Sequence, residues 1–344
     1  MKHHLNTLFV QTDGAWLHKD GRAVCVSVDR EVKLRVPVHT LGGIVCFGRI
    51  NASTALLGLC AEEGVAISFC SGSGRLIARV SGFTPGNVLL RRDQYRAADD
   101  EPACLAIARP MVAAKIANSR TTLLRAVRDH GDPDGALAAA CARIAPCAQA
   151  AFRAGTLDAL RGQEGEAANA YFNVFDRLVT LEPPDRDAFR MTERTRRPPR
   201  DRLNCLLSFL YAMLAHDARS ACEACGLDPA VGFLHRDRPG RASLALDLME
   251  ELRSYLCDRT ALSLINRRQV TPDDFELLEG GAVRLTPTAR RTVLTAYQKR
   301  KQEEITHPYL CERLTLGLLV HIQARLLSRV LRGELDAYPA FIWK

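Results

Sequence analysis

Aromatic residues make up only 6% of the 344 positions, two of them tryptophan. That disfavours base stacking as the main way of holding a nucleic acid. No apolar run approaches membrane-spanning length, and the opening MKHHLNTLFVQTDG lacks the apolar region of a secretory signal. A cytoplasmic setting with reduced cysteines is therefore expected, and no membrane partner. P-loop, GxGxxG, HExxH and GxSxG patterns are missing, which removes most nucleotide-cofactor and serine-hydrolase readings. The single CxxC, Cys222 and Cys225, has no second CxxC or paired histidines at zinc-site spacing. It is read as two core or helix-end cysteines. The twelve cysteines lie mostly in apolar runs such as GIVCFG and AISFCSG, where a thiol behaves as a small hydrophobe. No internal repeat or low-complexity tract is visible.

What is present describes a globular protein. Apolar residues account for 47% of the chain and charged ones for 25%, and the length suggests two domains. A net charge of +8 favours polyanionic partners, although solubility alone would also account for it. Short runs rich in Val and Ile fill the first 80 or so residues: TLFV, AWLHKDGRAVCVSV, EVKLRVPV, GIVCFG, VAISFC and GRLIARVSG. One helix interrupts them at about Ala52–Glu63, with Asn51 or Ser53 to cap it. From about residue 96 the texture becomes long Ala-, Leu- and Arg-rich helical patterns, apart from a hairpin at DFELLEGGAVRLT. The expectation is an α+β protein: a β-sandwich-like domain over 1–84, a linker over 85–95, and a larger α-helical domain over 96–344.

In GQEGEAANAYF, residues 162–172, Glu164 shares a helical face with Ala168, Tyr171 and Phe172, and that face continues through Phe175, Leu178 and Val179. It is either an exposed first-turn acid or a carboxylate lining a polar pocket, where a bound cation would compensate its burial. A helix expected from about Ser243 is apolar over most of its girth and leaves a narrow strip of Asp247, Glu250, Glu251 and Ser254. That strip is either a solvated face or the lining of a cleft with His235 at its mouth. Two carboxylates and an imidazole make a credible site for Mg²⁺ or Mn²⁺, the nitrogen leaning it toward manganese. Two basic stretches suit phosphates: RMTERTRRPPRDR, with six arginines, and ARRTVLTAYQKRK, with five basic residues and no acid.

Four stretches in order carry a resemblance: GQEGEAANAYF, RRPPRDRLNCLLSFLYAML, GFLHRDRPGRASLALDLMEELR, and DDFELLEGGAVRLT with its following helix. Together they resemble the CRISPR-associated integrase family, the first of the CRISPR-associated proteins. GNVLLRRDQYR and YPAFIWK look most like the type I-C branch. The resemblance implies metal ligation by Glu164, His235 and Glu250, with Asp247 as a second acidic position. It places Arg200 and Asn204 in the polar RPP segment and Arg253 at a basic position. Arg196, Arg197, Arg236, Arg238 and Arg241 are further candidate DNA contacts, whereas Tyr171 is read as core. The implied reaction is metal-assisted transesterification in CRISPR adaptation, in which a protospacer 3′-hydroxyl attacks a phosphodiester at the repeat. Implied partners are double-stranded DNA, a second copy dimerising through the β-rich domain, and the small second CRISPR-associated protein in a hetero-hexamer. The fourth CRISPR-associated protein is a further candidate. The rivals are a metal-dependent nuclease of branched or single-stranded DNA in repair, and a non-catalytic DNA-binding scaffold.

Overall fold

The computed structural model describes residues 6–72, 76–82, 87–195 and 198–343. The first segment runs β1 (Asn6–Val10), β2 (Trp16–Asp20), β3 (Ala23–Val28), β4 (Glu31–Pro37), β5 (Leu41–Phe47), β6 (Asn51–Ala52), helix α1 (Thr54–Glu62), β7 (Ala66–Cys70) and β8 (Leu76–Val80). Among the described residues these strands form two four-stranded sheets, ordered β1-β5-β7-β8 and β4-β3-β2-β6. In the first, β1, β5 and β7 are parallel and β8 returns antiparallel. Alternate residues of the strands (Leu17, Val24, Ile44 and Ile67) meet Leu56 of α1 in one core, as period-two patterning demands. Ser53 caps α1 by accepting from the Leu56 N–H, and Ala52 is drawn into the pairing of β6 with β2.

Helices dominate the rest: α2 (Val88–Asp99), α3 (Glu101–His130), α4 (Ala136–Arg153), α5 (Leu157–Phe172), one-turn α6 (Asp185–Ala188), α7 (Arg202–Ala224), α8 (Ser243–Glu250) and α9 (Arg259–Asn266). The hairpin β9 (Phe275–Leu277) and β10 (Val283–Leu285) follows, then α10 (Pro287–Lys301), β11 (Glu304–Thr306), β12 (Arg313–Thr315) and α11 (Leu319–Leu331). The expected α+β architecture is present, with three differences. Residues 88–95 of the expected linker are helical, because the Asn87 side chain accepts from the Leu90 N–H and starts α2. A second hairpin, β11–β12, interrupts the helical half; its three-residue strands are too short to show alternation. The inward face of α5 does not continue as α-helix through Val179, since α5 ends at Phe172 and a 3₁₀ turn spans Phe175–Leu178.

The two halves share a core. Val45, Phe47 and Cys70 of the first sheet pack with the helices, and the Phe47 and Phe209 ring centroids lie 6.0 Å apart. Arg79 of β8 donates to Glu223 of α7 at 2.6 Å, and Cys70 Sγ lies 3.6 Å from His216 Nε2. No cysteine among the described residues forms a disulfide. Cys222 is buried in the core, and the Cys225 thiol, just past the end of α7, points at the His321 carbonyl, within the core or helix-end reading of the CxxC. No helix among the described residues is long and apolar enough to cross a membrane.

Candidate functional site

Helix α5 opens on Thr156, whose hydroxyl accepts from the Ala159 N–H, so Glu164 lies two turns inside the helix. The first-turn reading of this acid is thereby excluded. Its carboxylate turns inward and receives the Lys115 ammonium, which rises from the middle of α3 between buried Ala114 and Ile116. The same Lys115 Nζ donates to Glu250 Oε2 at 2.7 Å. Two acids 86 positions apart in sequence thus share one cation. Arg253, one turn beyond Glu250, completes the cluster by donating to both its oxygens at 2.8 and 2.9 Å.

The acidic strip of α8 is interior. Asp247 and Glu251 are fully buried and Glu250 is 4% exposed, which rules out the solvated face. Burial alone would push the Glu250 carboxyl up, but the Arg253 guanidinium, the Lys115 ammonium and His235 together hold it well below the ordinary range. Glu251 points the other way. It accepts from Tyr338 Oη, the Phe341 N–H and Gln323 Nε2, and burial pushes its carboxyl up to about 7. Asn118, one turn beyond Lys115 on α3, donates to the carbonyls of Glu251 and Phe341. The C-terminal segment is therefore laced to the backs of the helices that carry Lys115 and Glu250.

Asp247 organises the loop before α8. Its Oδ2 accepts from the N–H groups of Phe233 (2.6 Å) and Leu234 (3.0 Å), and its Oδ1 from the His235 N–H at 3.0 Å. Oδ1 also lies 2.5 Å from His235 Nδ1, which leaves Nε2 as the nitrogen available to a ligand. The close approach depends on Gly232, where an added Cβ would fall 2.7 Å from Asp247 Oδ2 and 2.9 Å from the Ser243 backbone. Arg161 of α5 donates to the Leu234 carbonyl and ties the loop to the helix of Glu164. Behind Glu250 the chain makes a π-helical turn, Arg253–Asp258, a shape often found at functional sites. There Asp258 accepts from Tyr171 and Tyr211, and the Arg253 guanidinium lies 4.1 Å from the Tyr211 ring centre. Tyr171 is core, as its position on the inward face implies.

Among the described residues, no three His, Cys, Asp or Glu side chains stand close enough together to hold a metal ion in this arrangement. The donor chemistry still fits a divalent ion. Two carboxylates already converge on one positive charge, and an imidazole oriented by a carboxylate is near enough to influence Glu250.

The family model described as "CRISPR associated protein Cas1" matches residues 8–299. This chain belongs to the Cas1 family. It is 53% identical over 346 residues to CRISPR-associated endonuclease Cas1 1 of Chlorobaculum tepidum, covering all of both chains. A solved casposase bound to integration product superposes with a TM-score of 0.84 at 22% identity, over 98% of this chain and 94% of that one. The chain also superposes on a Cas6-RT-Cas1–Cas2 complex at TM-score 0.82 and 25% identity, over all of this chain and 36% of that one.

The basic residues of this Cas1 family member divide into two groups. Arg200, Arg236 and Arg238 are exposed, and Arg241 is half-buried. Arg236 and Arg238 lie one and three positions after His235, and Arg236 pairs with Asp158. Arg196 and Arg197 lie outside the described residues. Asn204 requires a correction, because it is fully buried and its amide is used up. It donates to the Glu193 carbonyl and Asp201 and accepts from Arg194, bracing the RPP segment from inside. Arg253 is likewise interior, turned to Glu250. Sequence reasoning missed Lys115. Its signal was available in the pattern: a single lysine in PMVAAKIANS, as misplaced in its apolar surroundings as Glu164 is in its own.

Proposed function

We propose that this chain is a DNA integrase and endonuclease of CRISPR adaptation, acting at the Glu164–Glu250–His235 cluster. One observation carries the reading: Glu164 and Glu250, from separate helices, turn inward onto a single cation beside a histidine held by a buried aspartate. Family membership and the likeness to relatives named endonucleases support it. In the reaction, a DNA 3′-oxygen forms a bond to a phosphorus at the repeat, the bond to the existing 3′-oxygen breaks, and the proton passes from the attacking to the leaving hydroxyl through solvent. A divalent ion held by Glu164, Glu250 and His235, Mg²⁺ or Mn²⁺, would polarise the phosphoryl oxygen and stabilise the leaving one. Asp247 fixes the loop and the ring of His235, and Glu251 with Asn118 fixes α8 against α3. Arg236 and Arg238 would hold backbone phosphates beside His235, and Lys115 and Arg253 would neutralise charge inside. As assembly, we propose a dimer through the strand-rich domain and a complex with the small second CRISPR-associated protein. The Cas1–Cas2 assembly among the structural neighbours supports the latter.

The test is transfer of a 3′-hydroxyl duplex into supercoiled plasmid with Mn²⁺ and the small partner, comparing wild type with Glu164→Ala. Joined product from wild type alone is expected. Joining that survives the substitution would remove Glu164 from the site, and cutting without joining would leave a nuclease.

A further inference from the structure

Where Glu164 and Glu250 meet, charge is already matched. Glu164 and Glu250 contribute two negative charges, and Lys115 and Arg253 two positive ones. Lys115 is 13% and Glu250 4% exposed, so solvent screens these charges weakly. Adding a divalent ion without removing anything would leave the site net positive even with the buried Asp247 carboxylate beside His235 counted, and the ion would meet the Lys115 ammonium on both acids it needs. We propose that Lys115 is a resident counter-ion that holds the place of the metal, and that it must swing away for the ion to load, with a DNA phosphate as its new partner. Lysine suits such a role. It is a compact charge on a flexible stem, so the ammonium can leave the two carboxylates while α3 stays packed. Arg253 cannot do the same: its guanidinium is clamped on both Glu250 oxygens and packed on Tyr211. Metal and DNA are then coupled. Each weakens the hold of Glu164 and Glu250 on Lys115 in favour of the other, and linkage makes that help reciprocal.

The inference rests on the metal-site reading above, and the experiment separates the two. Mn²⁺ binding is measured calorimetrically on the full chain with and without a short duplex, for wild type, Lys115→Met, Lys115→Arg and Glu250→Gln. Lys115→Met is expected to bind Mn²⁺ at least ten-fold more tightly than wild type without DNA, and to lose most of the gain that DNA gives wild type. Lys115→Arg should stay close to wild type. Equal affinity in wild type and Lys115→Met, with binding abolished by Glu250→Gln, would overturn the counter-ion role and keep the metal site. Binding that ignores all three substitutions would overturn the site itself. Lys115→Met leaves two acids facing each other and its fold is at risk, so a second measurement uses the unaltered protein. A crystal of wild type soaked in Mn²⁺ should show the ion between Glu164 and Glu250 with Lys115 Nζ withdrawn from both. An ion bound there with the lysine still bridging would overturn the proposal.

Discussion

Asp247 shows how much one buried carboxylate can organise. It accepts three backbone N–H groups and faces the His235 ring, and it does so because a charged acceptor inside the protein must be fully satisfied. Asp247→Asn keeps the volume but turns one acceptor into an NH₂ facing N–H donors, leaving at least one of them unpaired. Chemical denaturation should show a loss of about 2–3 kcal/mol. Strand transfer should fall further than stability explains, since the His235 ring loses its orienting partner; activity unchanged at full folding would make Asp247 a loop brace alone. Glu250 and Glu251 are adjacent and chemically alike, yet one faces Lys115 and the other the C-terminal segment. A helical step of ~100° separates their directions, so neighbours in sequence serve different parts of the molecule.

At the scale of elements, α5 carries an internal cost. Gly162 and Gly165 flank Glu164 inside the helix, and an added Cβ at either would meet no atom within 4 Å. Glycine in a helix interior costs roughly 1 kcal/mol relative to alanine, and packing within this chain does not call for it here. Under the proposed function, this bare outer face of α5 is where a polymer backbone would pass Glu164. Gly165→Ala should therefore raise stability by about 0.5–1 kcal/mol in thermal or urea unfolding while weakening DNA binding and strand transfer. A variant that is stabilised with full DNA activity would show that the glycine serves nothing near the substrate. The π-helical turn after α8 is the converse case, an irregular element held by full satisfaction of Asp258 through Tyr171 and Tyr211.

At the scale of the whole molecule, the strand-rich and helical halves meet through Phe47, Cys70 and Arg79 against α7. His216 lies in that contact. Burial, with Arg79 and Arg219 nearby and only Asp217 opposing, lowers its pKa to about 4 from 6.5. The unfolded chain therefore takes up this proton first as pH falls. Stability is untouched above pH 6.5 and lost progressively between 6.5 and 4, by about 3 kcal/mol in all. Glu251, raised to about 7, acts with the opposite sign, its contribution being lost as pH rises from about 4.5 through 7. The two offset each other in wild type, so the His216 term is read from the difference between wild type and His216→Gln across pH 4–7.5. That difference should move against wild type on acidification; a flat difference would mean that the imidazole charges freely in the native state.

The sequence by itself determined the class of the fold, the two halves and most elements, because alternation and helical periodicity are local and strong in this chain. It also marked Glu164 and the Asp247–Glu250 strip, since a carboxylate in an apolar stripe is visible one residue at a time. Tertiary structure alone decided who meets whom. Lys115 joins acids 49 and 135 positions away, Glu251 turns to a segment 90 positions on, and Asn204 goes inside to bind Arg194 and Glu193. The partners of Lys115 and Glu251 lie far beyond the few turns over which periodicity carries information, and those of Asn204 sit in the irregular segment before α7, where periodicity says nothing. They are chosen by the packing of α3, α5 and α8, and by the rule that every charge taken out of water must find a partner there.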